Sequence, residues 1–212
     1  MGIINKAMMY LLSIFHDKDG LSENSSTEKS RGNEPPFNLS EYEKRIAEAA
    51  KCGTSELISN HSKNHSKIIL ENMVESASSC MLIYDRDLSG DLLTMDDNKL
   101  LKQFQGFLEK DINRRIEIIV DPSQNHNDNV VSELKKLRSK SLKIFQLNMS
   151  EFSKINYEYL DVPYFSVSDE RAYRIEVKGG KERNAVACFN DQKMGSSLTT
   201  MFEKLKTISE PI

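Results

Sequence analysis

Three short apolar runs, "SCMLIY", "RIEIIV" and "LKIFQL", alternate with two segments whose apolar residues recur at helical spacing, and this alternation narrows the possible folds more than any other feature. The first run closes in "DRDLSGD". After it comes "NKLLKQFQGFLEK", where Leu100, Leu101, Phe104, Phe107 and Leu108 share a helical stripe. The second run passes through "DPSQNHND" into the helical "NVVSELKKLRS", and the third follows directly. Strand, helix, strand, helix, strand at this spacing calls for βαβ crossovers, hence an α/β domain with a largely parallel sheet.

Beyond this core, "VPYFSVSDERAYRIEV", from Val162 to Val177, reads as a buried strand, a tight polar turn at Asp169 and Glu170, and a second strand with Arg171 and Arg174 pointing outward. "KGGKER" then joins it to "NAVACFN", and the Gly179-Gly180 pair is a strong hairpin signal. A closing helix, "KMGSSLTTMFEKLKT", presents Met194, Leu198, Met201, Phe202 and Leu205 to the sheet. Ahead of the first strand, "LSEYEKRIAEAAKCG" reads as a helix with a capping-box pattern at Ser40 and Glu43 and a stop at Gly53. A second helix from about Asn64 carries Ile68, Ile69, Met73 and Val74 on one side. The expected fold is one α/β domain with a mixed, mostly parallel sheet flanked by helices.

Residues 1–15 and 16–37 stand apart from that domain, which occupies 38–212. The apolar "IINKAMMYLLSIF", Ile3 to Phe15, is about half the run of roughly 20 residues that a membrane-spanning helix needs, so it reads as an amphipathic docking helix and not a transmembrane segment. Either a protein partner or a membrane surface could receive it. The following "HDKDGLSENSSTEKSRGNEPPF" has almost nothing to bury and reads as a flexible polar linker. At 212 residues the chain holds one good core. A formal charge of −3 means that any attraction to nucleic acid must come from a local patch. Cys52, Cys80 and Cys188 lie far apart in an odd count, which suggests a reducing, cytoplasmic setting.

The strand, turn and strand around Asp169, with the hairpin return and closing helix "AVACFNDQKMGSSLTTMFEKLK", resemble one half of a phospholipase D superfamily protein. The signature of that family is His-x-Lys-x-x-x-x-Asp. With the family aspartate on Asp169, Val162 stands at the histidine position and Tyr164 at the lysine position. In the family the histidine is a covalent nucleophile and the lysine neutralises phosphate oxygens; valine can do neither, and tyrosine offers a donor without charge. The resemblance, which spans roughly Asn60 to Ile208, therefore implies a lost active site. Since family members with one motif per chain often pair two chains around the site, it also implies a homodimer.

Other residues offer different chemistry. Asp85, Asp87 and Asp121 follow the first two strands, where open α/β sheets bind ligands, and three carboxylates there could hold Mg²⁺ for a metal-dependent phosphodiesterase or nuclease. His61 and His65, four apart, lack a third ligand and read better as exposed or helix-capping residues. Lys135, Lys136, Arg138, Lys140 and Lys143, with Arg171, Arg174 and the hairpin cations, could receive phosphate or an acidic partner, although they carry no base-reading motif. The leading expectation is a non-catalytic binding or regulatory module without a cofactor. It would act through a protein partner, with a phosphate-containing ligand or nucleic acid as a further possibility, and its candidate contacts are Tyr164, Asp169, Arg171, Arg174, Lys135, Lys136 and Arg138.

Overall fold

The computed structural model describes residues 39–60, 62–85, 99–121, 128–137, 140–154, 163–177 and 184–212. The docking helix, the linker, His61, Asp87, Arg138, Val162 and the "KGGKER" connection lie outside the described residues. The chain divides into two units, Met1–Arg45 and Ile46–Ile212. Of the first, only the opening turns of helix α1 (Leu39–Cys52) are described. Gly53 ends this helix in the left-handed region at φ 61, a conformation that glycine adopts without a Cβ clash. Ser40 is the second residue of the helix and does not stand ahead of it as the capping-box pattern suggested.

The second unit follows the order β1 (Ile58–Asn60), α2 (Lys63–Ser76), β2 (Cys80–Asp85), α3 (Lys99–Lys110), β3 (Arg115–Val120), α4 (Asp128–Lys136), β4 (Leu142–Leu147) and α5 (Met149–Lys154). It continues with β5 (Phe165–Ser168), β6 (Ala172–Val177), β7 (Asn184–Cys188), α6 (Gln192–Thr207) and β8 (Ser209–Pro211). All eight strands form one sheet in the order β1-β7-β6-β5-β2-β3-β4-β8. The expected crossovers are present, since β2 pairs with β3 and β3 with β4 in parallel. The other five pairings are antiparallel, so the sheet is mixed with a smaller parallel share than expected. Hairpin returns after β5 and β6 build one half of it, and hairpins can only pair antiparallel.

Cross-strand partners share a face, and the register therefore sorts the strand residues into two sets. One row runs Tyr173, Val167, Leu82, Glu117, and the next set runs Arg174, Ser166, Ile83, Ile118. Helix α6 covers the first face, where Lys206 donates to the buried Glu117 at 2.7 Å. Helix α2 covers the second, where Arg174 reaches Ser66 at 2.9 Å. Both sets are consequently buried, and β2 and β5 are buried at every position. The five apolar residues expected on α6 are all buried, contributing on the order of 10 kcal/mol before the entropy of ordering the chain is counted. Among the described residues no helix is long and apolar enough to cross a membrane.

Candidate functional site

The turn between β5 and β6 has two consecutive left-handed residues, Asp169 at φ 50 and Glu170 at φ 57. Neither is glycine, and each position costs about 1 kcal/mol unless its surroundings hold it. Asp169 supplies the hold. Its carboxylate accepts from the backbone N–H of Ser78 at 2.5 Å, Ser79 at 2.9 Å and Cys80 at 3.0 Å, and from the Ser79 hydroxyl at 2.8 Å. Burial acts to raise the Asp169 pKa, but these donors outweigh it and keep the carboxyl below its ordinary value of 3.8. Helix α6 closes the turn from the other side. A Cβ on Gly195 would lie 2.2 Å from the Glu170 carbonyl oxygen, so only glycine permits this approach. With four hydrogen bonds to the start of β2, Asp169 is a structural clamp, and its carboxylate is directed into the protein.

At the opposite ends of the same strands, Asp85 closes β2 and Asp121 follows β3, both buried. The Asp121 N–H donates to the Asp85 carbonyl at 3.1 Å. Tyr164, just ahead of β5, donates its hydroxyl to Asp121 Oδ2 at 2.8 Å, and its ring lies 5.1 Å from that of Tyr84. The position where the resemblance calls for a lysine thus holds an uncharged phenol bonded to a carboxylate. Of the three aspartates considered for a metal, Asp85 and Asp121 come together, Asp87 lies outside the described residues, and no group of three ligating side chains occurs among those described.

Other candidate residues are placed differently from expectation. Arg174 does not point outward: it is 2% exposed, donating to Ser66 at 2.9 Å and to Glu176 at 3.3 Å. The alternation in "AYRIEV" puts Tyr173 and Ile175 inward, but α2 buries the other face as well. Arg171 is exposed, as are Lys135 and Lys136, the latter paired with Glu133. His65 is buried, not exposed, and its backbone N–H donates to the N-cap Ser62. Asn60, Ser66 and Glu176 join Arg174 in a buried polar network that the sequence reading missed. The one available signal was the run of polar residues in "SNHSKNHS" directly before an apolar helix stripe.

This arrangement has solved counterparts. Nuc from Salmonella typhimurium, a phospholipase D family member, superposes with a TM-score of 0.51 at 10% identity over 74% of this chain and 97% of its own. NucT from Helicobacter pylori does so with a TM-score of 0.51 at 12% identity over 74% of this chain and 100% of its own. The fold is phospholipase D-like. TrmBL2, an archaeal chromatin protein whose structure shows a novel mode of DNA binding, matches 98% of the chain with a TM-score of 0.52 at 13% identity, and the chain spans 66% of its length. No protein-family model and no curated protein sequence matches the chain. The residues that the sequence resemblance sets at the motif's aspartate and lysine positions are thus a turn clamp, Asp169, and a phenol bonded to Asp121, Tyr164.

Proposed function

We propose that this phospholipase D-like domain is a non-catalytic module that binds a partner and does not cleave phosphodiesters. The observation that carries the reading is the Tyr164 hydroxyl bonded to the buried Asp121 at the position where the family places a lysine. Phosphoryl transfer through this fold needs a nucleophile and a cation to hold the phosphate oxygens. The resemblance puts Val162 and Tyr164 at those two positions, and the second is bonded to a carboxylate, Asp121. Nucleic acid is the phosphate-containing ligand that this reading favours; TrmBL2, a structural neighbour of which the chain spans 66%, is a chromatin protein with a novel mode of DNA binding. The same reading includes a protein partner docked through residues 3–15, a homodimer and a cytoplasmic setting.

The test is a phosphodiesterase assay on the full chain with a chromogenic diester and with DNA, in EDTA and then with Mg²⁺ or Mn²⁺. We expect no turnover in either condition. Metal-independent cleavage with a trapped phosphohistidine would refute the proposal. A second reading draws on the closeness of Asp85 and Asp121 at adjoining strand ends. It predicts cleavage that requires the metal and is lost in Asp121→Ala.

A further inference from the structure

The amino-terminal edge of the parallel strands is the reverse of the edge that carries Tyr164. Three connections meet there in register. The turn after β5 is tied to β2 by the Asp169 N–H donating to the Cys80 carbonyl, Arg115 opposite Cys80 donates its N–H to Ser79, and Ile116 donates to Ser141. Arg171, Arg115 and Lys140 thus stand at the ends of β6, β3 and β4, and all three are exposed. From β6 to β4 the edge crosses four strand spacings, roughly 19 Å.

The acids at this edge are largely engaged. Asp169 accepts four hydrogen bonds, Glu170 accepts from Ser196 at 3.2 Å, and Asp111 accepts from the backbone and side chain of Asn113. Arg115, Lys140 and Arg171 form no ion pair among the described residues. Beside them, the Arg114 guanidinium is 4.9 Å from the centre of the Phe107 ring, which fixes a fourth cation in place. Ile112, 89% exposed, caps the turn between α3 and β3.

We infer that this edge, and not the edge bearing Tyr164, receives the phosphate backbone of a DNA duplex. The inference rests on the binding reading above and assigns it a surface. Charge complementarity favours the polyanion: the cations form no ion pair among the described residues and stand at spacings a backbone can span, since about 19 Å of edge covers on the order of five phosphates of one strand. Arginine forks at positions 115 and 171 supply directed hydrogen bonds to phosphate oxygens, and Lys140 adds a point charge. Phosphate contacts carry no sequence information, so a surface that works through them takes DNA without sequence preference.

The experiment is a titration of the full chain with a short fluorescein-labelled duplex of mixed sequence at several salt concentrations. Circular dichroism serves as the folding control, and the three exposed side chains leave the core untouched. Combined Arg115→Ala, Lys140→Ala and Arg171→Ala should weaken binding by about tenfold or more and reduce the salt slope by roughly 2 to 3. Arg115→Lys with Arg171→Lys should keep the slope. Replacing Lys44, Lys51 and Lys102 with Ala removes the same charge elsewhere and should leave binding near wild type. Unchanged binding by the edge variant would overturn the surface and leave the binding reading standing. Equal losses in both triple variants would reduce the effect to bulk charge and overturn it also. No wild-type binding at low salt would refute the DNA reading itself. Adsorption to phosphatidylserine vesicles but not DNA, lost in Ile112→Ser, would make the edge a lipid face and likewise overturn the inference.

Discussion

At the carboxyl ends of β2 and β3, two buried aspartates adjoin through their backbones and one of them accepts from Tyr164; at the amino ends of the same strands, a turn aspartate is gripped by four donors and cations stand in solvent. One strand pair therefore separates two roles that a phospholipase D signature combines. The aspartate of the signature is an element of construction, because it fixes a left-handed turn to the start of β2. The histidine and lysine positions are elements of chemistry, and on the proposed reading Val162 and Tyr164 stand there instead. A frame can outlast the reaction it was built around when the residues that hold it are distinct from the residues that react.

The largest effect expected from breaking this comparison is on stability. Asp169→Asn keeps the side-chain shape and tolerates the left-handed turn, but in its better orientation it turns amide hydrogens toward the Ser78 N–H and removes the negative charge that the Ser79 and Cys80 donors face. The loss should be on the order of 2 to 3 kcal/mol in urea unfolding, with the m-value unchanged. Its pH dependence has a definite sign. The folded pKa lies below the ordinary 3.8, so the stabilisation is fully present above that value and lost as pH falls through the folded pKa. The gap between wild type and Asp169→Asn in thermal melting should hence be constant near neutrality and shrink below about pH 4. A gap that widens on acidification would show that the carboxylate is not the stabilising form.

The opposite edge should respond weakly. Tyr164→Phe removes the hydroxyl's hydrogen bond to Asp121 and should cost about 1 kcal/mol in the same urea measurement, with no change in DNA affinity. A loss above that of Asp169→Asn would reverse the ranking of the two edges, and a loss of DNA binding would move the ligand to the strand carboxyl ends.

What the sequence revealed and what it hid follow from the range of the signals. The β2, β3 and β4 strands and the helices between them announce themselves by local periodicity, and α6 does so through its stripe from Met194 to Leu205. Strands β1 and β8, three residues each, are too short to show an alternation, and α5, at six residues, has less than two turns of pattern. Asp169 could be picked out by the spacing of a motif, but its partners Ser78 and Ser79 lie about ninety positions away in the chain. Tyr164 and Asp121 meet across 43 positions in the same way. Arg174 misleads because alternation marks one face of a strand as polar only if water reaches that face. Here α2 covers it, so the guanidinium is turned onto Ser66 and Glu176. A cover supplied by a distant helix leaves no trace in the strand itself.

On the proposed reading, phosphate is excluded from the edge bearing Tyr164 and received at the far end of the strands. Backbone amide shifts measured while a DNA duplex is titrated into the isotope-labelled full chain address both halves at once. The account predicts shifts at Arg114, Arg115, Lys140 and Arg171, with Tyr84, Asp85, Asp121 and Tyr164 unmoved. Shifts centred on Asp121 and Tyr164, with the cationic edge silent, would contradict it.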